Sequence, residues 1–202
     1  MYSVPNITAS TYVNDVQLAI NSLRVNLTVL VWGPGETNKQ KWFDKRTAVI
    51  KALNDASNGQ DTIVTSEDLF GGKPPAPLDY GHVELIHAEK ADIIIALVLA
   101  SPSRQGGVYR ELEIIAPHRR LREKVWIFLP DSRGYLNRFS AGMLRAYRDD
   151  HKISCSWNMI QTCKRIRDIS ISKVNEERKQ RMYDKLNAFM ITKGQELALQ
   201  TI

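Results

Sequence analysis

The stretch Asp92-Ile-Ile-Ile-Ala-Leu-Val-Leu99 is the clearest strand in this sequence. Its apolar residues run without polar alternation, and this pattern predicts a strand that is buried on both of its faces. Such strands belong to parallel sheets with helices packed on both sides. The run is also too short to cross a bilayer, which needs about 18 to 20 apolar residues in a helix. The stretch therefore predicts an α/β protein.

Further strands and helices extend this prediction over the chain. Periodicity predicts strands at residues 27–32, 61–65, 124–129 and, more weakly, 151–157, and helices at 8–24, 39–56, 79–90, 108–121, 135–149 and 173–192. We expect a Rossmann-like (flavodoxin-like) parallel sheet with helices on both faces, plus a C-terminal helical extension. The expected organisation is an N-terminal helical segment at 1–24, an α/β domain at 25–160, and a helical extension at 161–202 packed on or beside the core.

The loops after the predicted strands indicate where a ligand would bind. In open parallel sheets the ligand crevice lies outside the carboxyl ends of the strands. The loops at 33–38, 66–78, 101–107 and 130–134 therefore converge on one place. The 66–78 loop contains two glycines and three prolines, so we expect it to be mobile without a ligand.

Composition and charge exclude several classes of protein. The chain has 202 residues and a net charge of +6, of which residues 164–202 contribute +4 from nine Lys/Arg and five Asp/Glu. Those charges alternate in sign, as on a solvated helix, so we do not expect nucleic-acid binding. The two cysteines and four histidines lack metal-ligand spacing, and we expect no metal. The chain shows no membrane span and no signal peptide, so we expect a cytoplasmic protein.

Two loops supply candidate chemistry from the residues themselves. Gly33-Pro34-Gly35 would let backbone approach a ligand, and the helix that follows offers free N–H groups to an anion. The same glycines also suit an ordinary strand-to-helix turn. Glu111 lies early in the predicted helix 108–121 and would point its carboxylate toward the crevice. An acidic residue there also occurs for helix-dipole reasons alone.

A family resemblance gives Glu111 a specific role. From Ala88 to Leu112, the order of a helix, an apolar strand, the serine loop Ser101-Pro-Ser103 and a helix with Glu111-Leu112 resembles Toll/interleukin-1 receptor (TIR) domains. In TIR domains that cleave NAD at its glycosidic bond, the glutamate of that pair is catalytic. The resemblance therefore implies that Glu111 is catalytic and that residues 66–78 form the gating loop.

The same elements are similar to nucleoside 2-deoxyribosyltransferases and related nucleotide N-glycosidases. Their first strand ends in a Gly-Pro-type loop, as in Val31-Trp-Gly33-Pro34-Gly35, and their nucleophile is a glutamate that Glu111 would match. A carboxylate beside the ribose can stabilise an oxocarbenium-like state or attack the anomeric carbon, as in glycoside hydrolases. Glu113 remains an alternative catalyst, although two residues along a helix it faces another direction.

These resemblances imply an enzyme that cleaves the N-glycosidic bond of NAD or a related nucleotide, with a cyclic ADP-ribose-type signal in antiviral defence as one outcome. The alternatives are a deoxyribosyltransferase-like nucleotide hydrolase or transferase, and a non-catalytic TIR-like assembly module. NAD or the nucleotide would be the substrate, with no resident cofactor, and we expect a homo-oligomer without membrane contact. The expected substrate-binding residues are Trp32, Gly33, Pro34, Gly35, Arg46, Asp68, Phe70, Ser101, Ser103 and Tyr109.

Overall fold

A computed structural model describes residues 24–34, 40–70, 79–99, 106–131 and 142–199. The chain divides into two compact units, one spanning Leu27–Asn175 and the other combining Met1–Asn26 with Glu176–Ile202. The first unit contains the sheet and every described residue of the candidate site.

The described strands form one parallel sheet. They are β1 (Thr28–Trp32), β2 (Thr62–Val64), β3 (Ile93–Leu97), β4 (Val125–Pro130) and β5 (Lys152–Cys155), in the order β2-β1-β3-β4-β5. Every residue of β3 is buried, as its unbroken apolar run predicts. The prediction of a Rossmann-like parallel sheet is confirmed. Strand order reverses between β1 and β3, and such a reversal opens a crevice at the carboxyl ends of the two strands.

Helices follow the strands as the α/β pattern requires. In chain order they are α1 (Gln40–Ser57), α2 (Ser66–Phe70), α3 (Tyr80–Lys90), α4 (Gly106–Ile115), α5 (Arg119–Arg122), α6 (Trp157–Thr162) and α7 (Lys164–Leu199), with a 3-10 turn at Asp149–His151 between β4 and β5. Helix α3 packs against α4 and against β1. The side chains that follow β1, β2 and β3 are therefore brought to one edge of the sheet.

Two aspartates accept backbone hydrogen bonds at the amino ends of the strands, opposite the crevice. Asp61 Oδ1 accepts a hydrogen bond from the Leu27 amide at 3.1 Å, and Asp92 Oδ2 accepts one from the Thr28 amide at 2.7 Å. Both carboxylates satisfy backbone donors where β1 begins, and each lies just before its own strand. These two carboxylates therefore help to align β1 with β2 and β3. They lie at the amino ends of the strands, away from the crevice.

The predicted helix 108–121 is in fact two helices. Helix α4 ends at Ile115 and α5 begins at Arg119, with Pro117 between them. Proline lacks an amide proton and disfavours helical backbone at the residue before it, so one continuous helix was the wrong prediction here.

The predicted loop 66–78 begins with a helix. Asp68 Oδ2 accepts hydrogen bonds from the Thr65 amide and hydroxyl, both at 2.8 Å, and the Asp68 amide donates back to Thr65 Oγ1 at 3.3 Å. This reciprocal pair starts α2 as a capping box does. The first five residues of the predicted loop, Ser66–Phe70, are therefore helical, and residues 71–78 lie outside the described part.

Within the predicted helical extension at 161–202, the final helix is longer than the predicted 173–192. Helix α7 begins at Lys164 rather than near residue 173, and α6 precedes it where no helix was predicted. Residues 8–23 of the predicted helix at 8–24 and residues 135–141 of that at 135–149 lie outside the described residues. Within 142–149 the α-helical backbone does not extend past residue 144, so the second half of that prediction is wrong. No described helix has the length and apolar character needed to cross a membrane.

Candidate functional site

The carboxyl end of β1 forms the floor of the candidate site. The Trp32 side chain is 1% exposed, and its indole Nε1 donates to Ser66 Oγ at 3.1 Å. Gly33 follows, and a Cβ added there would lie 2.8 Å from Arg46 Cδ. Only glycine thus lets the Arg46 stem cross the end of the strand without displacement. Pro34 is buried beside it.

Arg46 reaches this edge from α1. It is buried, and its Nη1 donates to both carboxylate oxygens of Glu67, at 2.9 and 3.0 Å. The Glu67 side chain is half exposed, which places this ion pair at the boundary with solvent. The sequence predicted Arg46 as a substrate-binding residue. In the structure its guanidinium lies inside and already pairs with a carboxylate.

Glu84 points inward from α3. It is buried, and its Oε2 accepts a hydrogen bond from Ser66 Oγ at 2.8 Å. Burial raises the pKa of Glu84, while hydrogen bonds from Ser66 and Trp32 oppose that rise. His87 Nδ1 lies 3.9 Å from Glu84 Oε2, and burial lowers the pKa of this imidazole. His87 is therefore neutral at pH 7 and adds no positive charge.

Glu111 completes the group from α4. Its Oε2 is buried and has no hydrogen-bond partner among the residues that the structure describes, although the residue as a whole keeps some exposure. Burial raises the pKa of Glu111 well above the ordinary value, repulsion from Glu84 and Glu67 adds to the rise, and Arg46 opposes it. Glu67, Glu84 and Glu111 are hereafter called the carboxylate cluster.

The position of α4 explains why Glu111 faces inward. Val108, Leu112 and Ile115 are buried at helical spacing on one face, and Glu111 lies directly beside this stripe. The Tyr147 hydroxyl, from the same core cluster, donates a hydrogen bond to the Leu112 carbonyl and helps to fix the helix. Glu113 is exposed on a different face, so geometry favours Glu111 over Glu113 as the residue of the site.

The other predicted ligands have varied positions. The carboxylate of Asp68 is exposed and occupied by the capping box, and Tyr109 is half buried against the core. Gly35, Ser101 and Ser103 lie outside the described residues, as does the side chain of Phe70.

Sequence reasoning missed Glu84, Ser66 and Glu67 as site residues. One signal was available for Glu84, because it shares the buried stripe of α3 with Val83, His87 and Ala88. A glutamate on the apolar face of a helix is rarely buried without a partner. Ser66 and Glu67 carried no such signal, since they were assigned to a loop.

Comparison with known proteins gives no named relative for this chain. No known family model and no curated protein matches the chain. Among solved structures, the chain is similar to a conserved protein from Enterococcus faecalis V583, with 15% sequence identity, a TM-score of 0.46, and coverage of 78% of this chain and 99% of that chain. Functional argument therefore comes from the residues of the site.

The electrostatic balance of the described site is acidic. Three carboxyl groups face one guanidinium, and the nearby imidazole is neutral. A group that develops positive charge would be stabilised here. A buried carboxyl whose pKa is raised can also exist as an acid near neutral pH.

Proposed function

We propose that this chain cleaves the N-glycosidic bond of NAD or a related nucleotide, with Glu111 as the catalytic residue. The observation that supports the proposal is the Glu111 carboxyl, whose Oε2 is buried without a hydrogen-bond partner in the described part of the chain. A structural carboxyl group would normally be paired when buried. A carboxyl group that binds a ligand can lack a hydrogen-bond partner until the ligand is bound.

The chemistry follows from the charge of the site. Breaking a glycosidic bond builds positive charge on the anomeric carbon, and an ionised Glu111 beside it would stabilise that charge or form a covalent ester. The nicotinamide of NAD leaves as a neutral ring and needs no protonation. The cytoplasmic location and the antiviral-defence setting that the resemblance implies belong to the same proposal, as does a cyclic ADP-ribose-type product.

A second candidate is a deoxyribosyltransferase-like nucleotide hydrolase or transferase. The raised pKa of Glu111 and of Glu84 favours it, because a neutral base must gain a proton as it leaves and a protonated carboxyl can supply one. Incubation of purified protein with NAD and, separately, with nucleoside monophosphates distinguishes the two by the released base.

Self-association is part of the proposal as well. Residues 182–191 of α7 expose a set of large apolar side chains, which are Met182, Tyr183, Leu186, Phe189, Met190 and Ile191. Exposed apolar groups at helical spacing are typical of a contact between helices. If both activity assays are negative, this face favours the third alternative, a non-catalytic assembly module.

The decisive experiment compares Glu111→Gln with Glu113→Gln. Gln keeps the size of the side chain but cannot ionise, so turnover should fall by about a hundred- to a thousandfold, with substrate binding little changed. Glu113→Gln is the matched control, because its carboxyl is exposed two positions away, and it should keep nearly full activity. Parent-level turnover by a folded Glu111→Gln protein would refute the mechanism.

A further inference from the structure

We infer that the hydrogen bonds linking Trp32, Ser66 and Glu84 decide which of two neighbouring carboxyl groups holds the proton of the site, and that they place it on Glu111. Ser66 is then a positioning residue: it acts on Glu111 through Glu84. The placement of the proton does not depend on the proposed function, whereas its consequence for turnover rests on it.

The direction of the hydrogen bonds follows from the atoms involved. The indole Nε1–H of Trp32 can only donate, so Ser66 Oγ must accept at their 3.1 Å contact. The serine hydroxyl has a single proton, and it is left to donate to Glu84 Oε2 at 2.8 Å. Glu84 therefore receives a hydrogen bond that stabilises its ionised form.

Glu111 has the opposite surroundings. Its Oε2 is buried and receives no hydrogen bond from any residue that the structure describes. Burial without a donor disfavours the charged form of a carboxyl. Of the two groups, Glu84 is thus the better place for the negative charge and Glu111 the better place for the proton.

The remaining charged groups around Glu111 do not reverse this order. From α1, Arg46 attracts an ionised Glu111, but its Nη1 is shared with both oxygens of Glu67 from α2. From α3, His87 is neutral and Glu84 repels a second negative charge. Two carboxyl groups that interact this way titrate as a coupled pair, so a change at one moves the other.

The arrangement would set the lower pH limit of activity. Turnover by an ionised Glu111 requires that its proton pass to solvent, and an anionic Glu84 holds that proton on Glu111 until the pH is higher. If Ser66 no longer donates, the anion at Glu84 loses its stabilisation and the proton moves to Glu84. Glu111 would then ionise at lower pH.

The test follows carboxyl titration directly in the full chain. Protein labelled with ¹³C at the glutamate carboxyl carbon is titrated by NMR, and the two resonances are assigned with Glu111→Gln and Glu84→Gln. In the parent protein, we expect Glu111 to titrate above Glu84. In Ser66→Ala, the midpoint of Glu111 should fall by about one pH unit, and Ser66→Thr, which keeps the hydroxyl, should restore it. Ser57→Ala is the matched control, because Ser57 is a buried serine whose hydroxyl bonds to the Asn54 carbonyl in α1.

Each outcome bears on the proposal. Glu84 titrating above Glu111 in the parent, or an unmoved Glu111 midpoint in folded Ser66→Ala, would overturn it. If Ser66→Ala does not fold, Glu84→Gln takes its place and should lower the Glu111 midpoint because the neighbouring charge is gone. The expected titrations without any release of base would refute the proposed function and leave the proton placement intact. With activity present, the acid limb of kcat/KM should move to lower pH in Ser66→Ala and stay in place in Ser57→Ala.

Discussion

Replacing Glu111 with Gln should make the protein more stable at neutral pH while abolishing its proposed chemistry. The Glu111 carboxyl is buried, and its pKa lies well above the ordinary glutamate value of 4.5. Between pH 4.5 and the raised pKa, the folded chain keeps a proton on Glu111 that the unfolded chain has lost. Stability falls with rising pH wherever the folded state binds more protons. The parent protein therefore loses free energy of unfolding over this window, and Glu111→Gln, which cannot ionise, does not.

The size of this difference in the free energy of unfolding follows from the one proton that the folded chain keeps and the unfolded chain loses. The free energy of unfolding of the parent should drop relative to Glu111→Gln by about 1.4 kcal/mol for each pH unit above 4.5, until the pH reaches the raised pKa. For a chain of this length, about 1 kcal/mol corresponds to roughly 2 to 4 °C in Tm. The Tm of the variant should therefore gain roughly 3 to 6 °C on the parent per pH unit.

Thermal unfolding at pH 4 to 8 measures this difference. The two curves should meet near pH 4, where Glu111 is protonated in both the folded and the unfolded parent, and separate as the pH rises. Glu113→Gln should follow the parent, because that side chain faces solvent. Parallel curves for the parent and Glu111→Gln across the whole range would mean that Glu111 is ionised in the folded protein, and would refute the reasoning about the carboxylate cluster.

Two further predictions concern the Arg46 stem and the apolar face of α7. Gly33→Ala should destabilise the protein by about 1 to 3 kcal/mol in chemical denaturation, because the new Cβ would lie 2.8 Å from Arg46 Cδ. Gly107→Ala is the control, since its added Cβ meets nothing within 4 Å. Equal stability of the two variants would contradict the close approach. Met190→Glu should shift the protein toward monomer in sedimentation, since it places a charge at a position that is 62% exposed on that face. An unchanged mass for parent and variant at all concentrations would show that α7 is not the contact between copies of the chain.

Local patterns were sufficient to predict the sheet. The apolar run at 92–99 and three shorter runs each predicted a strand, and parallel pairing followed because helical segments separate them. The crevice at the carboxyl ends followed from topology, and the family resemblance then selected Glu111 among the residues near it. The errors came where one residue acts at short range, as Pro117 does in ending α4, or where a capping pair starts a helix inside a turn-rich stretch.

What the sequence by itself determined is the class of fold and the edge of the sheet where chemistry would lie, because buried strands and amphipathic helices leave a periodic record in the order of residues. Only the tertiary structure decided which charges meet at that edge. Arg46, Glu67, Glu84 and Glu111 come from four different helices, and their spacing along the chain contains no sign of their contact. A pKa depends on burial and on the distances to other charges, and those distances exist only once the helices have packed on the sheet.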